Sequence, residues 1–316
     1  MSHPDDGAEA KDPSQIDVLI NAAAPERSND WLLLREEHQI TFHPIADRKG
    51  VTLRARGHRV EFDNKTMTWL WMLGFAGWKA FRLHGPHLLW RSVTGAKIDG
   101  HIREADPTYQ DAVTDLETVL YVVRDLPKLE SVDWDVSWPS EIPRVQIDKN
   151  GLDDQQQAAF DLTMIATTYM LLHEVRHIVF RSEAKRPAAV DEELACDAFA
   201  RQFLLANAKE YAAASGEDTQ LVIAKRAAGI ALGAYALYGF TPKSARSGTS
   251  DYPPVADRIE AIFSNIDLPD DHWFWDFSAS LLISIIVQNA PESVVPKANG
   301  ADLCTKLAEN IRQLMP

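Results

Sequence analysis

Cysteine is nearly missing from this 316-residue chain, with only Cys196 and Cys304, far apart. Two isolated thiols make no disulfide framework, and such sparing use points to a reducing compartment. Basic charge is also short: 32 Lys and Arg stand against 46 Asp and Glu, for a net charge of −14. Non-specific nucleic-acid binding draws on basic surface that displaces counterions, so no nucleic-acid partner is expected. No run reaches the roughly 20 apolar residues that a membrane-spanning helix needs. Residues 67–78 and 281–287 come nearest, and both are too short. Residues 1–14 are polar and acidic, without the apolar stretch of a secretory signal. The expected address is therefore the cytoplasm.

What is present is ordinary for a globular protein: 46% hydrophobic and 25% charged residues, in a length that suits one large or two modest domains. The informative stretch is Leu172-His173-Glu174-Val175-Arg176-His177-Ile178. Two histidines four residues apart share one face of a helix, and Glu174 follows the first directly. Both imidazoles can then reach one metal ion, with a carboxylate beside them to handle a proton from a metal-bound water. This is the H-E-x-x-H signature of zinc-dependent peptidases. Its context is helical: residues 154–180 carry Phe160, Leu162, Ile165, Tyr169, Leu172, Val175 and Val179 near helical spacing, with no Gly or Pro.

A catalytic zinc site wants a third protein ligand and an open fourth position. Downstream, residues 190–200 read Val-Asp-Glu-Glu-Leu-Ala-Cys-Asp-Ala-Phe-Ala, a second helical pattern after a loop over residues 181–189. Two helices joined this way can pack antiparallel and set Glu193 opposite the histidines. Asp197, one turn further on, is placed to accept a hydrogen bond from the outer nitrogen of a ligating histidine. Glu192 competes for the ligand role and otherwise reads as a solvated acid. Cys196 is a weaker rival that reads as a small buried hydrophobe.

The expected fold class is α+β, mainly α. Residues 1–15 read as a disordered tail, and residues 16–150 as a mixed N-terminal region of unknown role. Residues 151–316 read as a helical metallopeptidase domain of zincin type. Within the first region, residues 16–20 suggest a strand, and residues 51–55 and 59–63 alternate around Gly57 as a hairpin. A helix rich in tryptophan over residues 66–83 is apolar nearly all round and reads as buried rather than partner-binding. Asp106-Pro107 opens another helix, striped by Val113, Leu116, Leu120 and Val123. Residues 131–143 read as irregular. His84, His87 and His101 could suggest a second metal site but read as surface or loop histidines, since Gly85 and Pro86 should interrupt a helix and no acidic or Cys partner has ligand spacing. Further helices are expected over residues 218–238, 255–265, 272–289 and 301–314, with a loop at 242–250 that borders the cleft.

The pairing of His173-Glu174-Val-Arg-His177 with Glu193-x-x-x-Asp197 resembles the gluzincin metallopeptidases. The run from Glu192 to Ala200, the long non-catalytic N-terminal half and the later Tyr252-Pro253-Pro254-Val-Ala-Asp-Arg258-Ile259 resemble the phage-exclusion Lit-type peptidases, the U49 family. That resemblance implies a cytosolic bacterial protease that cleaves a host protein during phage infection. It implies His173, His177 and Glu193 as zinc ligands and Glu174 as general base. Many gluzincins carry a histidine where this chain has Tyr252, so the donor to the developing oxyanion is open among Tyr252, Arg258 and His272, with Tyr252 leading. The expected partner is a protein or peptide substrate. Two other readings stand beside it: a zinc-ordered sensor without turnover, and a repressor-cleaving regulatory peptidase, for which no helix-turn-helix pattern is found.

Overall fold

The computed structural model describes residues 14–95, 107–130, 138–146, 148–183 and 186–315. Ser14 opens the first helix, α1 (Gln15–Ala23), with a capping box. Its hydroxyl accepts the Asp17 N–H at 3.2 Å, and the Asp17 carboxylate accepts the Ser14 N–H at 3.0 Å. The strand expected over 16–20 is thus a helix. Ile16 and Ile20 stand one helical turn apart and pack on the core, and the cap favours helix over strand. The tail expected over residues 1–15 lies outside the described residues except for Ser14 and Gln15, which belong to this cap and helix.

After α2 (Ser28–Glu37) comes a three-stranded sheet of β1 (Thr41–Ile45), β2 (Leu53–Arg56) and β3 (Arg59–Asp63), in the order β1-β3-β2. β2 and β3 form the expected antiparallel hairpin, turning at Gly57 with φ +60°, while β1 runs parallel to β3. β1 carries Pro44, which an edge strand tolerates because one side of its backbone needs no ladder partner. β2 is the opposite edge, and it packs against the helix that carries the two histidines.

The tryptophan-rich helix α3 (Asn64–Thr94) is buried, as its all-round apolarity predicts. Trp69 and Trp71 are almost fully enclosed, and their indole N–H groups donate to the carbonyls of Val123 and Pro143, both at 2.8 Å. The helix does not break at Gly85 and Pro86. A proline removes one N–H from the ladder and crowds the carbonyl four residues back, a cost offset by the packing of α3 against neighbouring helices. His84 and His87 are therefore helical, and His84 is buried; His101 lies outside the described residues.

The rest is helical: α4 (Pro107–Asp125), α5 (Asp154–Ser182), α6 (Ala189–Leu205), α7 (Ala208–Ser215), α8 (Thr219–Phe240), α9 (Val255–Phe263), α10 (Trp273–Asn289) and α11 (Gly300–Gln313). The fold is α+β, mainly α. Of the segment expected to be irregular, residues 131–137 lie outside the description, and 138–143 form neither helix nor strand. α5 is the central element: α3, α6, α8 and β2 all pack on it. Its start is fixed by a second capping box, Asp153 with Gln156. α8 is long and apolar enough to cross a membrane, yet 78% of its apolar window is buried inside the molecule. The boundary placed near residue 150 falls in a stretch without helix or strand, but packing continues across it: the Trp71 ring lies 5.7 Å from that of Phe160.

Candidate metal centre and active site

α5 and α6 are joined by a short connection and lie against each other, which brings Glu193 to His173 and His177. The helical spacing of the two histidines sets their Nε2 atoms 3.2 Å apart. Glu193 faces both, with one carboxylate oxygen 3.4 Å from Nε2 of His173 and the other 3.3 Å from Nε2 of His177. Ligands at ~2.0–2.1 Å from a tetrahedral ion stand about 3.3 Å from one another, so the two Nε2 atoms and the carboxylate that spans them are spaced as groups that could hold one zinc ion.

The outer nitrogens are held as well. Nδ1 of His173 donates to Asp197 at 2.8 Å and Nδ1 of His177 donates to Glu192 at 2.7 Å. A carboxylate on Nδ1 fixes the proton there and turns the Nε2 lone pair toward an ion. Asp197 is itself oriented by the buried Arg258, which donates to both its oxygens at 2.7 and 2.8 Å, and by the Tyr169 hydroxyl at 3.0 Å. Arg258 also reaches Glu193 at 3.2 Å.

Glu192 is not the solvated acid that its sequence suggests. It is 2% exposed, holds His177 and accepts from Arg186 in the connection between the helices. The doublet Glu192-Glu193 was legible, but the division of labour depends on the rotation of α6 about its axis, which spacing alone leaves open.

His173, His177 and Cys196 also offer ligand atoms within 4.8 Å of one another. Cys196 Sγ, however, approaches His177 at Nδ1, 3.5 Å away, on the side taken by Glu192. An ion between the two Nε2 atoms lies on the opposite side of that ring. Burial, together with the charges of Glu193 and Asp197, holds the Cys196 thiol far above its usual range while no metal is bound. Glu193 thus faces the Nε2 atoms, whereas Cys196 stands on the Nδ1 side of His177.

Glu174 projects from α5 toward the sheet, and the N–H of Ala55 in β2 donates to its carboxylate at 2.7 Å. Burial raises its pKa above the ordinary glutamate range, against the opposing pull of His173 and His177. The carboxyl groups of Glu193 and Asp197 go the other way despite burial. The two histidines act on Glu193, and Arg258 and His173 on Asp197. His173 is pushed up to about 9: burial works to lower it, but the charge and hydrogen bond of Asp197, with Glu193, outweigh that.

A cleft of about 770 Å³ opens over these groups, walled by β2, by α5 and α6, and by the segment after α8 that includes Pro242, Ala245, Asp251 and Tyr252. Tyr252 is half exposed and lines the cleft, its backbone pinned by hydrogen bonds to and from Thr249. Partial burial, then the charges of Glu193 and Glu174, raise its phenol pKa, so it is a protonated donor at neutral pH. Arg258 also touches the cleft but is committed to Asp197 and Glu193. His272 caps α10 through the Phe274 N–H and does not line the cleft.

No curated protein and no solved structure matches the chain. The model of the family described as Peptidase U49 matches residues 60–278, a span that begins in β3, contains α5 and α6 and ends in α10. Covering about two thirds of the sequence, that match establishes that the chain belongs to the Peptidase U49 family and is a peptidase by family.

Proposed function

We propose that the chain is a zinc-dependent endopeptidase of gluzincin type, with His173, His177 and Glu193 as metal ligands, Asp197 and Glu192 holding the two imidazoles, and Glu174 as general base. The observation that supports this reading is the convergence of the two Nε2 atoms, 3.2 Å apart, on the Glu193 carboxylate, whose two oxygens lie 3.4 Å from one and 3.3 Å from the other. A bound zinc ion supplies a Lewis acid for the scissile carbonyl and lowers the pKa of its water to about 7. Glu174 takes a proton from the attacking water and delivers it to the leaving amine. The raised pKa of Glu174 suits both steps, and the Ala55 N–H aims the carboxylate. The Tyr252 hydroxyl donates a hydrogen bond to the oxyanion that develops on the carbonyl and keeps its proton. β2 is an edge strand beside these groups, and an extended substrate segment can pair with the part of its outer edge that Glu174 does not take.

The substrate is a specific intracellular protein, and the setting is phage exclusion in the cytoplasm; both rest on the resemblance of the His173–Asp197 region and of residues 252–259 to Lit-type peptidases. Metal analysis of the purified chain tests the site: about one zinc per chain, lost in His177→Ala without unfolding, is the expected result. Glu174→Gln should keep the zinc and the fold and lose cleavage by at least a hundredfold, read as missing neo-N-termini in cells. A sensor without turnover would keep its response in Glu174→Gln, and no metal in the wild type after resupply would end the zinc reading.

A further inference from the structure

Three arginines other than the buried Arg258 line the cleft, and two of them have carboxylate partners. Arg54 of β2 donates to Glu61 at 2.8 and 3.0 Å, and Arg186 is tied to Glu192. Arg181 is exposed, lines the same cleft, and has no hydrogen bond or ion pair among the described residues. Basic side chains are favoured in the last turn of a helix by its dipole, which accounts for an arginine near the end of α5. That preference does not account for its direction. Arg181 follows His177 by four residues, as His177 follows His173, so it continues the metal-facing row of α5.

The carboxylates nearest the catalytic groups are all engaged: Glu174 by Ala55, Glu193 by the histidines and Arg258, and Glu192 by His177 and Arg186. Asp251 also lines the cleft, but it comes from the loop that bears Tyr252 rather than from α5. A guanidinium left without a partner inside a substrate cleft, in a chain of net charge −14, is a built receptor for a carboxylate.

We infer that Arg181 is a specificity residue of this cleft and takes the carboxylate of an Asp or Glu side chain in the substrate. This deepens, and rests on, the peptidase reading. One helical turn separates Arg181 from His177, about 6 Å along the axis, and an arginine side chain extends that reach. An extended peptide advances about 3.3 Å per residue, so the acidic residue falls about two to four positions from the scissile bond.

The test separates binding from turnover. A randomised dodecapeptide library is captured on zinc-loaded, full-length Glu174→Gln protein and sequenced, in parallel with Glu174→Gln/Arg181→Glu and Glu174→Gln/Arg181→Lys. The expected result is Asp and Glu enrichment of about tenfold on the first protein, kept in part by Arg181→Lys and inverted to Lys and Arg by Arg181→Glu. Because Arg181 is exposed, loss of the fold in Arg181→Glu is not expected, and circular dichroism with zinc content checks it. Absence of acidic enrichment, or acidic enrichment that survives in Arg181→Glu, overturns the proposal. Wild-type protein incubated with a cell lysate is scored separately for new N-termini. Acidic capture without cleavage keeps the carboxylate receptor and sinks the peptidase reading, whereas cleavage with no acidic capture sinks the receptor alone.

Discussion

Asp197 accepts from Tyr169, from His173 and twice from Arg258, so every buried polar group around it has a partner. The residue acts through His173, whose imidazole it orients and whose proton it stabilises. In the metal-free protein that imidazole keeps its proton up to about pH 9. A metal must displace it, so binding competes with protonation at every pH below that value. The folded-state pKa is raised, and the sign follows: apparent zinc affinity climbs with pH and levels off near 9. Chelator competition, corrected for protonation of the chelator, should give a drop of about tenfold per unit as pH falls below 9. A flat profile between pH 9 and 7 would contradict this account of Asp197. As the proposed general base, Glu174 must likewise be deprotonated to take a proton from water. Its burial-raised pKa puts the acid limb of activity above the ordinary glutamate range.

Among the elements, α5 can carry the site because α8 packs very closely on it. α8 presents Gly229 and Gly233 to Ile165 and Tyr169 of α5. A Cβ on Gly229 would stand 2.4 Å from Cγ2 of Ile165 and 3.3 Å from the Leu162 carbonyl oxygen, and the backbone atom cannot swing away. Glycine to alanine in a helix ordinarily gains about 1 kcal/mol. Here an overpacking cost of about 1–3 kcal/mol outweighs that gain, and Gly229→Ala should lower stability by a net of up to about 2 kcal/mol. Calorimetry of the zinc-free protein measures it, and an unchanged or raised Tm would show that the two helices have room to separate. The two site helices were legible because apolar residues recur near helical spacing over residues 154–180 and 190–200. α2 and β1 were not. α2 leaves Leu32 and Leu33 exposed, so its pattern marks no buried face, and Pro44 argues against a strand until the edge position is known.

For the whole molecule, the decisive feature is that buried residues from Ile20 to Ile311 form one large core. Trp71, Phe75 and Met72 of α3 belong to it together with the interior of α5, α8 and α10, and β2 supplies the backbone N–H that holds Glu174. A fragment of residues 151–316 keeps both site helices but loses these partners. Its apolar faces on α5 and α10 would stand in water, at roughly 25 cal/mol per Å². We expect it to bind 8-anilinonaphthalene-1-sulfonate and to melt without a cooperative transition, as partly folded states do. A sharp calorimetric melt with zinc retained would mean that the C-terminal half folds alone, as a boundary at residue 150 predicts.

The sequence by itself determined the candidate site and the family: a helix carrying His173, Glu174 and His177, a second helix carrying Glu193 and Asp197, and the U49 relationship. These are local or nearly local facts, set by helical spacing over some 25 residues. Tertiary packing decided what spacing cannot reach. It turned α6 so that Glu192 holds His177 while Glu193 faces the Nε2 atoms. It brought Arg258 from 61 residues away to clamp Asp197, and β2 from 119 residues away to Glu174. It also left Arg181 without a carboxylate inside the cleft while its neighbours found theirs. Each of these depends on how whole elements rotate and dock. That is settled by burying the apolar faces of α3, α5, α8 and α10 together, a sum over the entire chain rather than a property of any segment.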